Sequence, residues 1–397
     1  MKKIPVSDLR LGMYIQEICG SWMDHPFWKN SFRLDSLDDL HTLQTSVREV
    51  WIDTSKGLDV APDVTALTPE EAESRTQQVL EVSSARNESE IRIPLEAEVV
   101  RAKILKGRAK KAVMSMFSDV RMGQALRADM AYPLVEEIHQ SISRNTDALI
   151  SLVRLKNKDD YTYLHSVAVC ALMIALGKRL GLDSESLRHV GMAGLLHDVG
   201  KMLIPDPILN KPGRLTDDEF EIVKSHPRLG YQVLLKAEGL SDATLEVCLH
   251  HHERMDGGGY PDRLAGEDLS LYARMGAVCD VYDAITSERC YKKGWEPATA
   301  IHKMAEWQEG HFDLRIFHAF VKTVGIYPIG TLVRLKSGRL GYVVEQGREN
   351  LTAPVVKVIF SEQSNAHIFP ELVDLLHAQD AIVSTEDPQQ RGIAPLF

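Results

Sequence analysis

The spacing of apolar and polar side chains changes character along the 397-residue chain. Residues 1–55 alternate apolar and polar positions around turn signals, as in residues 12–18, and this period of two predicts a small β-rich N-terminal module. Residues 56–95 are mostly polar, although residues 68–71 have the composition of a helix start. We interpret this stretch as a polar linker with a helical segment.

A helical period follows from residue 96 to about residue 328, with few strand signals. Residues 329–397 alternate again around the turn at Ser337 and Gly338, which predicts a β-hairpin within a short β appendage. The pattern therefore predicts a mainly α protein. Its large all-helical domain is flanked by a small β-rich N-terminal module and a short C-terminal β appendage.

The composition excludes several classes of protein. With 44% hydrophobic and 26% charged residues, the chain has the make-up of a globular domain. A net charge of -10 argues against a general binder of nucleic-acid polymers, which needs a basic face. The most apolar run, residues 167–176, is shorter than the roughly 20 residues of a membrane span. We expect a cytoplasmic protein without a transmembrane segment, whose five scattered cysteines are reduced.

Candidate chemistry is concentrated in the helical region. Seven of the fifteen histidines lie between His165 and His252, and imidazole and carboxylate are the ligands that borderline metals prefer. An apolar helix ends in the adjacent pair His197 and Asp198, which can serve one centre if the imidazole binds one ion while the carboxylate bridges two. Three consecutive histidines at 250–252 would point about 100° apart on a helix, so packing does not explain them. At least two are predicted to face a metal.

Together these elements resemble an HD-GYP domain, the branch of the HD metal-dependent phosphohydrolases associated with cyclic di-GMP breakdown. The resemblance rests on His197-Asp198, on His251-His252-Glu253 and on residues 256–261, Asp-Gly-Gly-Gly-Tyr-Pro. It covers about residues 161–327 and implies an all-helical HD-type catalytic domain. The N-terminal part resembles, less closely, a module of unassigned function found ahead of some HD-GYP domains.

The resemblance implies a role for individual residues. Asp198 and Lys201 are the implied catalytic residues, with Asp198 bridging two ions and Lys201 beside the reacting phosphate. Members with a third metal carry Glu four residues before the first histidine, and because Tyr161 stands there, we expect two metals. The implied metal ligands are His165, His197, Asp198, His226, His251, His252 and Asp280. The implied substrate contacts are Tyr260 near a guanine, and Arg289 and Lys292 at phosphates.

Several of these assignments have a structural alternative. A histidine at the head of an apolar helix, such as His165, is often a hydrogen-bonded core residue, but the motif favours ligation. Asp280 has apolar neighbours, where an unpaired carboxylate would be costly to bury, so a metal partner explains it better than packing does. We interpret Asp283 and Glu253 as residues that orient ligands. The remaining two histidines of the region, His189 and His250, are interpreted as structural or supporting.

The expected activity is hydrolysis of cyclic di-GMP to linear pGpG, with further cleavage to GMP left open, by attack of a hydroxide shared by two divalent cations. Iron or manganese is favoured, and nickel or zinc suits the same ligands. Two alternatives stay open: a receptor or scaffold that binds cyclic di-GMP without turnover, and an HD phosphohydrolase for another cyclic dinucleotide. Protein signalling partners at the N-terminal module and a homodimer are further expectations.

Overall fold

The computed structural model describes residues 1–20, 25, 27, 31–60, 66–84, 93–153, 161–211, 213–287, 294–347, 349–394 and 396. Its architecture is mainly α with a small sheet near each end, which confirms the predicted fold class. The strands are β1 (Lys2–Pro5), β2 (Tyr14–Ile18), β3 (Phe32–Arg33), β4 (Glu49–Ile52), β5 (Leu332–Leu335), β6 (Arg339–Glu345), β7 (Val355–Ser361), β8 (Ala366–Asp374) and β9 (Ile382–Glu386).

The helices occupy most of the chain between the two sheets. They are α1 (Leu37–Ser46), α2 (Pro69–Ser84), α3 (Leu95–Arg121), α4 (Ala128–Arg144), α5 (Thr146–Val153), α6 (Tyr161–Arg179), α7 (Ser184–Leu196), α8 (Asp206–Leu209), α9 (Asp217–Lys224), α10 (His226–Leu234), α11 (Asp242–His250), α12 (Leu271–Thr286), α13 (Pro297–His311), α14 (Leu314–Val324) and α15 (Pro388–Arg391). None of these described helices is long and apolar enough to cross a membrane.

The N-terminal sheet has the order β1-β4-β2-β3. Strand β4 lies between β1 and β2, with Val50 opposite Ile4 and Ile52 opposite Ile15. These four side chains are buried in a small core that also includes Leu43 of α1. The module therefore has a hydrophobic core of its own, which fixes the positions of β3 and β4, the strands on either side of α1.

The centre of the helical domain is formed by α6, α7, α11 and α12, which pack against one another in one large hydrophobic core. A Cβ at Gly194 in α7 would lie 2.9 Å from the backbone of Cys170 in α6. Only glycine allows this close approach of the two helices. Since Gly194 is near the end of α7 and Cys170 is in the middle of α6, the crossing places the end of α7 against the middle of α6.

The polar stretch at 56–95 contains the expected helix, α2, which packs against α13 and α14. The sequence-based division into four domains stays a prediction. At the other end, β5 and β6 pair antiparallel across the Ser337-Gly338 turn, and the sheet order is β8-β7-β6-β5-β9. The four cysteines at described positions are free and buried: Cys19, Cys170, Cys248 and Cys279.

The N-terminal module is attached to α13 by a buried polar cluster around Glu306. This carboxylate, 7% exposed, accepts a 2.8 Å hydrogen bond from Trp51 Nε1 and lies 3.2 Å from Lys303 Nζ and 3.7 Å from Lys3 Nζ. Burial would raise the pKa of Glu306, but Lys303, the Trp51 hydrogen bond and Lys3 outweigh it and hold this pKa below 4.5. Glu306 is therefore ionised when the module is docked.

We expect Glu306→Gln to lower the free energy of unfolding by about 1–3 kcal/mol, because a buried charge-assisted hydrogen bond and two ion pairs are weakened. The lowered pKa means that this contribution is present above about pH 4.5 and is lost as the pH falls through the folded-state value. Denaturant unfolding at pH 7 and at low pH measures both effects. Glu371→Gln is the matched control, because its side chain is 61% exposed beside Arg339. An equal loss in both variants would contradict the expectation.

Candidate metal centre

The ends of four helices and the middle of a fifth place seven candidate ligands in one buried region. His165 lies near the start of α6, and His197 and Asp198 directly follow α7. His226 is the first residue of α10, and His251 and His252 directly follow α11. Asp280 lies inside α12. Each of the seven is 9% exposed or less.

Among the described residues, these side chains form two groups whose ligand atoms lie within 4.8 Å of one another. The first group is Asp198, His226, His251 and His252, and the second is His165, His197 and Asp280. The structure thus brings together all seven residues that the sequence nominated, with the ring nitrogens and carboxylate oxygens that divalent cations use.

Asp198 lies between the two groups and turns one oxygen to each. Its Oδ1 is 3.2 Å from His226 Nε2 and 3.7 Å from His251 Nε2. Its Oδ2 is 3.3 Å from His165 Nε2 and 3.4 Å from His197 Nε2. A carboxylate in this position has the geometry to bridge two cations.

Hydrogen bonds on the outer side of four imidazoles fix their tautomers. His197 Nδ1 donates to the Gly194 carbonyl at 2.8 Å, His226 Nδ1 to the Val223 carbonyl at 2.7 Å, and His251 Nδ1 to the Val247 carbonyl at 2.9 Å. A carbonyl oxygen can only accept, so Nδ1 carries a proton in each of these rings and Nε2 is the nitrogen that faces the cluster. His165 is oriented in the same sense by Asp283, with Nδ1 2.6 Å from Oδ2.

The carboxylates have unsatisfied atoms that a cation would satisfy. Within the described part of the chain, Asp198 Oδ1 and both oxygens of Asp280 are buried without a hydrogen-bond partner. His165 Nε2 approaches Asp280 Oδ1 to 2.9 Å, but the two groups are not aligned as a hydrogen bond. Leaving buried carboxylate oxygens unpaired is costly. The donor set therefore fits divalent cations.

The protonation states of the two carboxylates and of three of the imidazoles also suit metal binding. Burial would raise the pKa of Asp198 and Asp280, but Lys201 with His197 and His165 holds the pKa of Asp198 well below the usual range, and His165 and His197 do the same for Asp280. Burial lowers the pKa of His226 to about 4 and also lowers the pKa of His251 and His252. Ionised carboxylates beside neutral imidazoles are the forms that bind metal.

The pKa values of the other two imidazoles, His165 and His197, are raised. Burial would lower the pKa of His197, but Asp198 and Asp280 raise it to about 10. The pKa of His165 is raised against burial by Asp198, Asp280 and Asp283. These carboxylates thus attract positive charge strongly, and divalent cations would satisfy this attraction in place of the two imidazole protons.

Lys201 lies beside Asp198. It belongs to the short 3₁₀ helix Val199–Leu203, which directly follows Asp198, and its Nζ is 2.5 Å from Asp198 Oδ2. The residue is 9% exposed. A Cβ at Gly200 would lie 2.5 Å from the Gly230 amide nitrogen, so this turn packs directly on the backbone of α10. The ammonium group is therefore held at the wall of the cluster.

The glycine-rich loop at residues 256–261 packs against the ligand segment before it. A Cβ at Gly259 would lie 2.5 Å from the His252 carbonyl oxygen, and the Tyr260 amide donates to that carbonyl at 3.2 Å. The Tyr260 ring then stacks on the His252 ring, with centroids 4.7 Å apart. The loop thus places an aromatic face next to the candidate centre, where a nucleobase can stack.

Comparison with known proteins identifies the family. Residues 138–316 match a family model described as an HD domain, and residues 1–131 match a domain of unknown function, DUF3391. A cyclic di-GMP phosphodiesterase of Pseudomonas aeruginosa is 57% identical over 390 residues, which are 97% of this chain and 92% of that protein. The chain belongs to the HD-GYP family. The cyclic di-GMP phosphodiesterase response regulator RpfG of Xanthomonas campestris is 38% identical over 193 residues, 48% of this chain and 50% of that one.

A solved structure of an HDG"Y"P protein from Bdellovibrio bacteriovorus is also similar. It has a TM-score of 0.47 and 20% identity, over 80% of this chain and 97% of that one.

Some sequence-based assignments for this HD-GYP protein stay predictions. Arg289 and Lys292 lie outside the described residues, as does the side chain of Tyr161. His250 is apart from both ligand groups and lies between Glu246 and Asp262, 3.2 Å from a carboxylate oxygen of each.

Glu253 has a different role from the expected one. Instead of orienting a ligand, its Oε1 accepts hydrogen bonds from the backbone amides of Asp262 and Arg263, at 2.6 and 2.9 Å. It therefore fixes the far side of the glycine-rich loop. The sequence also did not single out Lys224, whose Nζ is 6.0 Å from the centre of the Tyr260 ring, because its position in α9 looks like an ordinary surface lysine.

We expect Asp283→Asn to weaken metal binding by roughly 10- to 100-fold, because Asp283 sets the tautomer and basicity of His165. Titration of the metal-free protein against a competing chelator measures this loss. Asp268→Asn is the control, because Asp268 is exposed and outside both ligand groups. Equal affinities for the wild type and Asp283→Asn would show that His165 does not need this carboxylate.

Proposed function

We propose that this protein is a metal-dependent phosphodiesterase that hydrolyses cyclic di-GMP to linear pGpG. The observation that carries the proposal is the position of Asp198, whose two oxygens face two different histidine groups beside the Lys201 ammonium. This arrangement suits a pair of cations acting on one phosphodiester. A relative that is 57% identical over nearly the whole chain is named a cyclic di-GMP phosphodiesterase.

Two divalent ions are proposed because the ligands form two groups joined by one carboxylate. Both groups consist of imidazole nitrogens and carboxylate oxygens, which iron, manganese, nickel and zinc all accept as ligands; iron or manganese is our proposal. His226, His251 and His252 would hold one ion, His165, His197 and Asp280 the other, and Asp198 both. Bound cations supply Lewis acidity toward the phosphoryl oxygens and a nucleophile from water at neutral pH.

The protein's own groups orient the substrate and balance charge. Lys201, held 2.5 Å from Asp198, can stabilise charge on the phosphoryl group or assist departure of the ribose oxygen. Tyr260 offers its ring to a guanine. Arg289 and Lys292 are proposed to hold the phosphate that does not react, through charge-assisted hydrogen bonds.

The test is an assay of anaerobically purified protein with measured metal content. Cyclic di-GMP is supplied, and pGpG and GMP are separated by chromatography; pGpG alone as substrate tests the second cleavage. We expect wild type with about two metals per chain to form pGpG. His197→Ala should lose metal and activity, whereas the control His189→Ala, outside both ligand groups, should keep them.

Two outcomes would contradict the proposal. Metal-loaded protein that binds cyclic di-GMP without cleaving it would be a receptor, the alternative from another functional class. Faster cleavage of cyclic GMP–AMP than of cyclic di-GMP would assign the same chemistry to a different cyclic dinucleotide.

A further inference from the structure

We propose that Arg48, a residue of the N-terminal module, positions the glycine-rich loop that carries Tyr260 in the catalytic domain. The module would then complete the substrate site of the helical domain. This inference rests on the proposed function, since it concerns the same site.

Arg48 is fixed by its place in the module. It lies between α1 and β4, directly before the strand at the centre of the N-terminal sheet, and its carbonyl accepts a 2.8 Å hydrogen bond from the Val6 amide. The neighbouring residues of β4 and β2 bind α13 through the Trp51–Glu306 hydrogen bond and a 2.7 Å ion pair between Glu17 and Lys303. The backbone at Arg48 is therefore held against the catalytic domain.

From this position, the Arg48 side chain extends past the end of α13. Gly310 there has φ +75°, and a Cβ at that residue would lie 2.6 Å from Arg48 Cζ. The guanidinium group thus lies against a backbone without a side chain. The same turn binds the start of the loop, because the Met255 amide donates to the His311 carbonyl at 3.2 Å and the Asp256 amide to the Gly310 carbonyl at 2.9 Å.

Arg48 ends on the first residue of the glycine-rich loop. Its Nε is 2.6 Å from Asp256 Oδ2, and the Asp256 side chain is only 3% exposed, whereas that of Arg48 is 53% exposed. The same carboxylate binds Arg254 at 3.0 Å and accepts a 2.8 Å hydrogen bond from the Gly258 amide. Asp256 is therefore a buried charge that joins the module to the loop backbone two residues before Tyr260.

A movement of Asp256 would be transmitted to the candidate centre. Gly258 is followed by Gly259, which packs on the His252 carbonyl, and by Tyr260, which stacks on the His252 ring. Without Arg48, the Asp256 carboxylate keeps Arg254 but loses its anchor in the module. The loop then has more freedom, and substrate binding loses a preorganised aromatic face.

The module also touches a second segment of the catalytic domain. Asp39 of α1 is 3.4 Å from Arg214 Nη2, and the Phe27 ring lies 4.5 Å from the guanidinium carbon of Arg214. Arg214 belongs to residues 210–216, part of the stretch that resembles the HD-GYP domain. Two separate contacts with the catalytic domain support a fixed position of the module, and hence of Arg48, on that domain.

The experiment compares Arg48→Ala, Arg48→Lys and the control Arg33→Ala in the full-length, metal-loaded protein. Arg33 is a suitable control because it pairs at 3.2 Å with Asp35 inside the module, with both side chains exposed. We expect Arg48→Ala to lower kcat/KM for cyclic di-GMP by roughly fivefold to tenfold, mainly through KM, with unchanged metal content. Arg48→Lys should recover most of the loss, and Arg33→Ala should match the wild type.

A double-mutant cycle with Asp256→Asn separates this role from a general loss of stability. If Arg48 acts through Asp256, Arg48→Ala should cause little further loss in the Asp256→Asn background. Full additivity, an unchanged KM in Arg48→Ala, or a loss that follows the melting temperature without recovery in Arg48→Lys would overturn the inference.

A separate measurement distinguishes this result from failure of the proposed function. If the wild type binds cyclic di-GMP but does not cleave it, the proposed activity is wrong, and the dissociation constant becomes the readout. Weaker binding in Arg48→Ala than in Arg33→Ala would still support the positioning role, and equal binding would refute it.

Discussion

Replacing Asp198 with asparagine is expected to lower hydrolysis of cyclic di-GMP by roughly 10³-fold or more and to reduce the bound metal. The amide has no charge and only one acceptor oxygen, whereas Asp198 turns Oδ1 to His226 and His251 and Oδ2 to His165 and His197. Both groups of ligands are affected by one substitution. Metal analysis of the purified variant and a cyclic di-GMP assay measure the two effects.

Asp206→Asn is the matched control, because Asp206, the first residue of α8, forms an ion pair with Arg121 at the surface and is outside both ligand groups. It should keep normal metal content and turnover. If Asp198→Asn lost only one metal and kept most of its activity, Asp198 would belong to a single ion, and the proposed bridging role would be wrong.

Replacing Lys201 with methionine is expected to lower kcat by roughly 10²- to 10³-fold, as removal of a preorganised electrostatic group does in other enzymes. Lys201 Nζ lies 2.5 Å from Asp198 Oδ2 and is nearly buried, so methionine keeps the packing and removes the charge. Metal content should be retained, because the variant removes a positive charge that repels the cations. The effect is measured as kcat at saturating cyclic di-GMP together with metal analysis.

Lys236→Met is the control for Lys201→Met, because Lys236 is exposed and outside both ligand groups. Partial recovery of kcat in Lys201→Arg would show that the charge itself is needed. A Lys201→Met variant with normal kcat would remove Lys201 from the catalytic step and leave it a structural partner of Asp198.

The two predictions differ in what they remove. Asp198→Asn changes the capacity to hold metal, whereas Lys201→Met changes the charge around the reacting phosphate while the ligands stay in place. A protein that loses activity in both variants but loses metal only in the first would match the proposed division of roles. Arg48 of the N-terminal module has a third, separate role. It contacts neither the metal ligands nor Lys201 and instead acts on the glycine-rich loop beside them.

The sequence by itself determined the mainly α fold and the two small sheets, and its resemblance to HD-GYP domains nominated the seven residues of the cluster. Periodicity shows where helices and strands occur, and the order of His197-Asp198, the three histidines and the glycine-rich turn is specific enough to name the family. These features are local: each is contained in a few consecutive residues, and their chemistry follows from residue type alone. The expected role of Glu253 was wrong, because a carboxylate next to two ligand histidines gives no sign that it will bind loop amides.

Only the tertiary structure decided how these residues act together. The division of the ligands into two groups, the position of Asp198 between them, the Asp283 hydrogen bond to His165 and the meeting of Arg48 with Asp256 all join distant parts of the chain. Such contacts depend on how closely helices cross, as where Gly194 packs on Cys170, and on where one module docks on another. Local periodicity does not specify these distances, because they are set by packing between elements that are remote in sequence.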